Sequence, residues 1–341
     1  MAEKPDIAVF GAGSWGTALA IQLSRGGRSA SLWGRAEDMP QRMASERRNA
    51  QYLPDAPFPD TLQIEADFER AVAGHRDLLI VVPSHAFREV LDQLRPLLRD
   101  DHRVAWATKG FEQGSGLLPH QVARDVLGSG PPLAVLSGPT FAREVAAGLP
   151  TAMTIAATDT GYANVLAQRI SDERFRAYTS NDLVGVEVGG ATKNALAIAA
   201  GLSDGLGYGA NTRIALISRG LVEMTRLGIA LGARLQTFMG LSGMGDLVLT
   251  CTDDQSRNRR MGLALAKGRQ PDEIAKEIGQ VVEGVYAARA VHQVAAREQV
   301  EMPICEHVYR ILYENESIEH AVHSLMTRSL KAEAELPFGS D

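Results

Sequence analysis

The chain has 341 residues, a length that suggests about two domains. Of these residues, 45% are hydrophobic and 22% are charged, an ordinary composition that excludes wholesale disorder. The formal net charge of −6 argues against a nucleic-acid partner, because general binding to nucleic acids needs a basic surface. We expect a cytoplasmic protein with no membrane partner, since the chain has two cysteines, no signal-peptide pattern and no apolar stretch of the roughly 18 residues that span a bilayer.

Short apolar segments alternate with longer amphipathic ones in the first half of the chain. Seven segments are predicted to be strands: Ile7–Phe10, Ala30–Trp33, Leu78–Val82, Arg103–Thr108, Leu133–Leu136, Thr151–Ala156 and Phe175–Thr179. Because strands that alternate with helices form βαβ units, this pattern predicts an α/β fold with a Rossmann-like, doubly wound sheet. The proline-rich segment Leu53–Pro59 is predicted to be a loop between two units.

After about Asn181 the pattern becomes helical. Gly185–Gly201 and Asn211–Leu231 have the length and composition of helices, and convincing strand segments stop. The sequence therefore predicts a dinucleotide-binding domain over residues 1–180 and an all-α substrate and catalytic domain over residues 181–332. The small, polar segment 333–341 is predicted to be a frayed tail.

Gly11, Gly13 and Gly16 form a G-x-G-x-x-G motif directly after the first predicted strand, and a helix-forming segment starts at Thr17. In such a turn the first glycine permits the tight bend, and the second lets the backbone approach a pyrophosphate. The third lets the helix pack on the strand, so that the helix N-terminus faces the phosphates. The motif in this context predicts a dinucleotide site.

Arg35 follows the second predicted strand, where NAD-binding domains usually carry an acidic residue that bonds to the ribose. An arginine there can neutralise a 2′-phosphate, so we predict that NADP is preferred to NAD. Glu37 and Asp38 follow closely and keep NAD open as the alternative.

Two further turns lie at the carboxyl ends of predicted strands, where doubly wound sheets bind their ligands. Lys109 follows the fourth strand and is expected to meet an anion, and the small-residue turn Ser137–Ala142 offers N–H groups and a hydroxyl to a polar ligand. His85 follows the third strand and could carry a proton, although a histidine in such a place more often caps a helix.

Lys193 lies inside a predicted helix of small and apolar residues. Because a long charged side chain is costly to bury, this lysine is interpreted as a functional group suited to proton transfer. Asp246 lies between small residues further along the chain and could pair with Lys193 to hold it in place.

Ser256 resembles the N-cap of a helix whose first turn contains Arg257 and Asn258. A helix N-terminus with a hydroxyl, a guanidinium group and an amide is well suited to a phosphate group. The next two residues, Arg259 and Arg260, are interpreted as charges solvated at the surface.

Several long strings stand together in a characteristic order: GAGSWGTALA, VVPSHAFREVL, WATKG, LSGPTFAREVAAGLPTA, GGATKNALAIAAG, LSGMGDLVLTC, DQSRNRR and GQVVEG. With these strings the chain resembles the bacterial NAD(P)-dependent glycerol-3-phosphate dehydrogenases over about residues 6–330. The resemblance implies reversible hydride transfer between NAD(P)H and dihydroxyacetone phosphate, which supplies glycerol 3-phosphate for phospholipid synthesis.

The resemblance also implies roles for individual residues. Lys193 would donate or accept the proton. Residues implied to contact the cofactor, beside the three motif glycines, are Ser14, Trp15, Arg35, Lys109, Ala142, Arg257, Val281 and Glu283. Residues implied to contact glycerol 3-phosphate are Lys109, Gly138, Thr140, Lys193, Asp246, Ser256, Arg257 and Asn258. No metal is expected, because no cluster of cysteine, histidine and carboxylate residues has the spacing of metal ligands.

Two other functions remain open from the residues alone. One is a related dehydrogenase of the β-hydroxyacid or ketopantoate type, which would act on a carboxylate. The other is a sensor that binds NADPH without chemistry, although Lys193 beside a phosphate site argues against it. The long, Ala-rich helices also predict a homodimer.

Overall fold

The computed structural model describes residues 7–329 and divides them into two compact units. The first unit comprises residues 7–109 and 119–183, and the second comprises residues 110–118 and 184–329. The sequence analysis, which predicted the continuous domains 1–180 and 181–332, did not indicate that residues 110–118 belong to the second unit. Phe111 and Leu118 are buried there in its core. The predicted tail, 333–341, lies outside the described residues.

An eight-stranded sheet forms the centre of the first unit. The strands are β1 Ile7–Phe10, β2 Ala30–Trp33, β3 Arg48–Asn49, β4 Leu53–Pro57, β5 Leu62–Glu65, β6 Asp77–Ile80, β7 Arg103–Trp106, β8 Leu133–Ser137, β9 Thr151–Ala157 and β10 Phe175–Ser180. The large sheet has the order β10-β9-β8-β7-β6-β1-β2-β5. Its neighbouring strands pair in parallel, apart from the antiparallel pair β8 and β9. The predicted Rossmann-like fold is confirmed, and each of the seven predicted segments contains a strand.

The predicted loop at Leu53–Pro59 is wrong over its first part. Residues Leu53–Pro57 form β4, which pairs antiparallel with β3 in a separate two-stranded sheet. Leu53 and Ala56 are buried in the core of the unit, while the prolines at 54 and 57 are exposed. Proline has no backbone N–H to donate. It is tolerated in this short, irregular ladder because the pairing of the two strands uses few backbone N–H groups. The edge strand β5 was also not predicted.

Seven helices connect the strands of the first unit. They are α1 Ser14–Leu23, α2 Pro40–Glu46, α3 Phe68–Ala73, α4 Phe87–Leu94, α5 Pro119–Leu127, α6 Ala142–Ala147 and α7 Thr160–Ile170. The first of them packs its apolar residues against the sheet in a core that includes Val9, Leu32 and Ile155. The parallel strands are buried on both sides, as their continuous apolar sequence indicates: all four residues of β1, β2 and β6 are buried.

Helices and the turns between them make up the described residues of the second unit, which contain no strand. Its helices are α8 Leu183–Gly205, α9 Ala210–Ala230, α10 Leu235–Phe238, α11 Asp246–Thr252, α12 Arg257–Leu265, α13 Pro271–Ile278, α14 Glu283–Arg297, α15 Pro303–Tyr313 and α16 Ile318–Met326. Every residue from Gly185 to Ser203 is buried, so α8 is the central helix of this unit. Between residues 7 and 329, no helix is both long and apolar enough to cross a membrane.

Candidate active site

The glycine turn after β1 has the geometry of a pyrophosphate cradle. Gly11 has a φ of +119°, which favours glycine, and a Cβ at Gly16 would lie 1.9 Å from the carbonyl oxygen of Gly11. A Cβ at Gly13 would meet no atom of residues 7–329 within 4 Å, so this side of the turn has room for a ligand. Because Gly13 is the N-cap of α1 and has no side chain, the helix N-terminus is not capped by that residue. This turn fits a dinucleotide, with Ser14 and Trp15 in the first turn of the helix.

Arg35 lies directly after β2, and its side chain is 66% exposed. Its backbone N–H donates a hydrogen bond to Oδ2 of Asp38 at 2.9 Å. The Asp38 carboxylate, only 8% exposed, therefore holds the turn. The exposed guanidinium group of Arg35 has its Nε 3.7 Å from Oδ2 of Asp38 and 3.9 Å from Oε2 of Glu37. An exposed guanidinium group at this position can meet the 2′-phosphate of NADP, and the two acidic residues beside it leave NAD open.

Two side chains of the predicted substrate site meet at one carbonyl oxygen at the end of β8. Lys109 donates from Nζ to the oxygen of Gly138 at 3.3 Å, and Thr140 donates from Oγ1 to the same oxygen at 3.3 Å. Ala142 begins α6 just beyond them, and His85 lies in a single 3₁₀ turn after β6. The ammonium group, the hydroxyl and the nearby helix start give this end of the sheet the chemistry to hold an anion.

Lys193 lies in the middle of α8 with 10% of its side chain exposed. Its Nζ lies 2.5 Å from Oδ1 of Asp246 and 3.0 Å from Oγ1 of Thr250. Thr250 follows one turn after Asp246 on α11 and donates its hydroxyl to the Asp246 carbonyl oxygen at 2.6 Å. The predicted contact between Lys193 and Asp246 is confirmed, and the Asp246 carboxylate is buried.

A close approach of two backbones makes this contact possible. Gly189 lies one turn before Lys193 on α8, and a Cβ there would lie 2.2 Å from the carbonyl oxygen of Ser242. Ser242 belongs to the π-helical turn Leu241–Gly245, which leads directly into Asp246. A side chain at position 189 would displace this turn and move the carboxylate away from the ammonium group.

Ser256 is the N-cap of α12, as the sequence predicts, and its Oγ accepts the N–H of Arg259 at 3.2 Å. Asn258 donates from Nδ2 to Oδ1 of Asn194 on α8 at 2.8 Å. Its own Oδ1 accepts the N–H of Gly284, in the first turn of α14, at 2.8 Å. The amide of Asn258 therefore joins three helices at the N-terminus of α12.

Arg257 lies beside the segment that precedes α14. Its Nη1 donates to Oε1 of Gln280 at 3.3 Å. Burial lowers the pKa of Arg257, and the carboxylate of Glu283 opposes this shift. Glu283 is the first residue of α14, and the preceding Val282 is buried in the core, which fixes the segment that also carries Val281.

The predicted residues fall into one group in each unit. The first unit holds the glycine turn, Arg35 and the residues around Gly138, and the second unit holds Lys193, Asp246 and the start of α12. Their functional roles remain predictions. Thr250 was missed, and the only signal for it is its position one helical turn after Asp246.

The interpretation of Arg259 as a solvated charge is wrong. This residue is 8% exposed, with Nη1 2.8 Å from Oδ2 of Asp204 and Nε 3.1 Å from Oδ1 of Asp254. It follows Asn258 on α12 and turns toward the core, whereas Arg260 is exposed as expected.

The fold and these residues define a nicotinamide-dinucleotide dehydrogenase with a Rossmann-like N-terminal part and a helical C-terminal part. The family models for the N-terminus and the C-terminus of NAD-dependent glycerol-3-phosphate dehydrogenase match residues 6–163 and 182–323. The chain belongs to this family.

Similar proteins support the same assignment. A relative from Tolumonas auensis named glycerol-3-phosphate dehydrogenase (NAD(P)+) is 55% identical over 328 residues, 96% of this chain and 98% of that protein. A relative of the same name from Aeromonas salmonicida is 55% identical over 334 residues, 98% of this chain and all of that protein. A crystal structure of glycerol-3-phosphate dehydrogenase from Coxiella burnetii has a TM-score of 0.92 and 48% identity, over 95% of this chain and 99% of that one.

Proposed function

We propose that this enzyme reduces dihydroxyacetone phosphate to glycerol 3-phosphate with NADPH in preference to NADH, catalyses the reverse oxidation, and so supplies glycerol 3-phosphate for phospholipid synthesis. It is an NAD(P)-dependent glycerol-3-phosphate dehydrogenase. The observation that carries the residue-level mechanism is the buried Lys193 ammonium group, held by Asp246 and Thr250.

Lys193 is the proton donor in the direction of reduction. The glycine turn would hold the dinucleotide, whose nicotinamide would supply a hydride to C2 of the substrate while the carbonyl electron pair goes to the oxygen. The ammonium group of Lys193 stabilises the forming alkoxide and then transfers a proton to it, which gives the secondary alcohol. In the oxidation, neutral Lys193 takes the proton of the C2 hydroxyl. Asp246 and Thr250 hold Nζ in place and restrict its movement.

The substrate phosphate is assigned to the N-terminus of α12. There the Ser256 hydroxyl, the Arg257 guanidinium group and the Asn258 amide surround the positive end of a helix dipole. The binding energy of this remote group positions the carbonyl for reaction. In the first unit, Lys109 and Thr140, which both bond to Gly138, are assigned to an anionic ligand at the end of β8.

The enzyme is also proposed to work in the cytoplasm as a homodimer. Its two cysteines are buried free thiols, which fits a reducing compartment. Ile214, on α9, has 56% of its surface exposed, and Tyr208, just before that helix, has 41% exposed. These two exposed apolar side chains mark the start of α9 as the surface proposed for the dimer contact.

The decisive experiment follows the loss of NADPH absorbance with dihydroxyacetone phosphate, in parallel with NADH and with ketopantoate. Rapid oxidation with the triose phosphate alone is the expected result, and a higher kcat/KM with NADPH would support the assigned role of Arg35. Turnover of ketopantoate alone would favour the carboxylate-reducing alternative. Tight NADPH binding without turnover of either substrate would favour the sensor.

A further inference from the structure

A buried ion pair behind the proposed phosphate site has no part in the mechanism given above. Arg259 and Asp204 are about nine-tenths buried, and Nη1 of the arginine lies 2.8 Å from Oδ2 of the aspartate. Arg213 on α9 donates from Nη1 to the same oxygen at 2.7 Å. Because burial strips both charges of water, such a pair is weak evidence for stability and suggests a role in specifying geometry.

The pair connects the two helices that carry the second unit's part of the site. Asp204 lies near the end of α8, the helix of Lys193, and Arg259 lies in the first turn of α12. These helices are in backbone contact, since a Cβ at Gly201 would lie 2.1 Å from the carbonyl oxygen of Arg259. A Cβ at Gly262 would likewise lie 2.1 Å from the carbonyl oxygen of Ile198 on α8. Backbone contact sets the separation of the helices, and the buried charge attraction between Arg259 and Asp204 restricts where the first turn of α12 lies.

We propose that Arg259 and Asp204 form a positioning pair that holds the first turn of α12 so that Ser256, Arg257 and Asn258 can bind the substrate phosphate together. The inference rests on the proposed function. The mechanical connection is direct, because the N–H of Arg259 donates to the hydroxyl of Ser256. Arg259 also follows Asn258 immediately, so a displacement of its backbone shifts both neighbours of Arg257.

Asp204→Asn distinguishes a positioning role of Arg259 from a purely electrostatic one, because the two roles predict opposite changes in phosphate binding. If Arg259 only supplied positive charge to the phosphate, Asp204 would weaken that charge, and Asp204→Asn would strengthen phosphate binding. If the pair positions α12, Asp204→Asn weakens phosphate binding, since the guanidinium group loses its buried charged partner. Asp254 provides a matched control because it also lies next to Arg259, at 3.1 Å, but is 74% exposed. Asp254→Asn makes the same change in charge and should leave the position of the helix unaltered.

The test compares kcat/KM for dihydroxyacetone phosphate with kcat/KM for dihydroxyacetone, which lacks the phosphate, using the full-length enzyme and NADPH. For Asp204→Asn and Arg259→Lys we expect a fall of about tenfold to a hundredfold with the phosphorylated substrate. The rate with dihydroxyacetone should be unchanged. Asp254→Asn should match the wild type with both substrates. A gain with Asp204→Asn, an unchanged rate, or an equal loss with both substrates would refute the positioning role.

Two further measurements keep this outcome separate from folding and from the proposed activity. Thermal unfolding checks each variant, and if a single variant does not fold, Asp204→Leu combined with Arg259→Met replaces the pair, leaving the 29% exposed Arg213 side chain to water. This double variant should fold and still have a lower ratio of kcat/KM for dihydroxyacetone phosphate to kcat/KM for dihydroxyacetone than the wild type. Calorimetry measures the dissociation constants of glycerol 3-phosphate and of glycerol for the wild type and the variants, which repeats the comparison without turnover. Wild-type binding of glycerol 3-phosphate without catalysis would refute the proposed function alone, and absence of that binding would refute both.

Discussion

Lys193 has its ammonium group fixed by one charged and one neutral partner. The carboxylate of Asp246 holds the positive charge, while the hydroxyl of Thr250 accepts a second hydrogen bond and directs its own proton to a backbone carbonyl. These contacts leave the nitrogen little freedom to move, which is the condition for efficient proton transfer.

Replacing Lys193 by methionine should lower kcat by about 10²- to 10⁴-fold, because methionine has nearly the same length but no proton to donate. The dissociation constant of NADPH should change little, since the glycine turn lies in the other unit. Steady-state kinetics and fluorescence titration with NADPH measure the two quantities. Lys276→Met on α13 removes an exposed lysine and should behave like the wild type. A kcat near that of the wild type would exclude Lys193 from the chemistry.

The exposed guanidinium group of Arg35 should discriminate between the two cofactors. Arg35→Gln is expected to raise KM for NADPH by about tenfold or more and to leave KM for NADH nearly unchanged, because a charge-assisted bond to a phosphate is lost. Arg42→Gln on α2, another largely exposed arginine, is the control and should alter neither value. Equal changes with both cofactors would mean that Arg35 does not read the 2′-phosphate.

At the scale of the helix, the start of α15 is capped by a side chain from α9. The N-cap residue Met302 makes no side-chain hydrogen bond. The carboxylate of Glu223 takes its place and accepts the N–H groups of Ile304 at 2.7 Å and Cys305 at 3.2 Å. Burial raises the pKa of Glu223 to about 7, although both hydrogen bonds favour its charged form.

This cap should make stability depend on pH. The pKa of Glu223 is about 7 in the folded chain and near the ordinary 4.5 in the unfolded chain, so the folded protein binds the extra proton between these values. The raised pKa of Glu223 therefore stabilises the folded protein fully below pH 4.5. This stabilisation is lost as the pH rises toward 7, by ~3 kcal/mol in the free energy of unfolding if the group acts alone. Urea midpoints across this range should therefore fall more steeply for the wild type than for Glu223→Gln. Glu319→Gln, an exposed residue of α16, should keep the wild-type slope, and a slope unchanged by Glu223→Gln would refute the linkage.

Sequence periodicity identified the central parallel strands because they are apolar on both sides, but it missed the edge strand β5 and the separate two-stranded sheet. The ladder of β3 and β4 alternates buried and exposed residues irregularly and contains two prolines. The antiparallel pairing of β8 with β9 was likewise not predicted, since strand direction depends on the path of the connecting chain.

In the molecule as a whole, we predict that the proposed dimer forms through Ile214, an exposed apolar residue of α9. Ile214→Glu should convert a species of twice the 36.7 kDa chain mass into one of the chain mass, because a buried carboxylate would be costly at the contact. Sedimentation velocity measures this directly. Val165→Glu, at an exposed valine of α7, is the control and should leave the assembly intact. A wild-type monomer, or a dimer that tolerates glutamate at position 214, would refute this surface as the interface.

The sequence predicts the Rossmann-like fold, the glycine turn, the helical second part and the cap at Ser256, because each depends on local residue types and their spacing. Its long strings also identified the family. Tertiary structure decided the assignment of residues 110–118 to the second unit, the partnership of Lys193 with Thr250, and the burial of Arg259 against Asp204. These features depend on groups that are distant in the chain, and a charged residue on a helix has the same local pattern whether it meets water or a buried carboxylate.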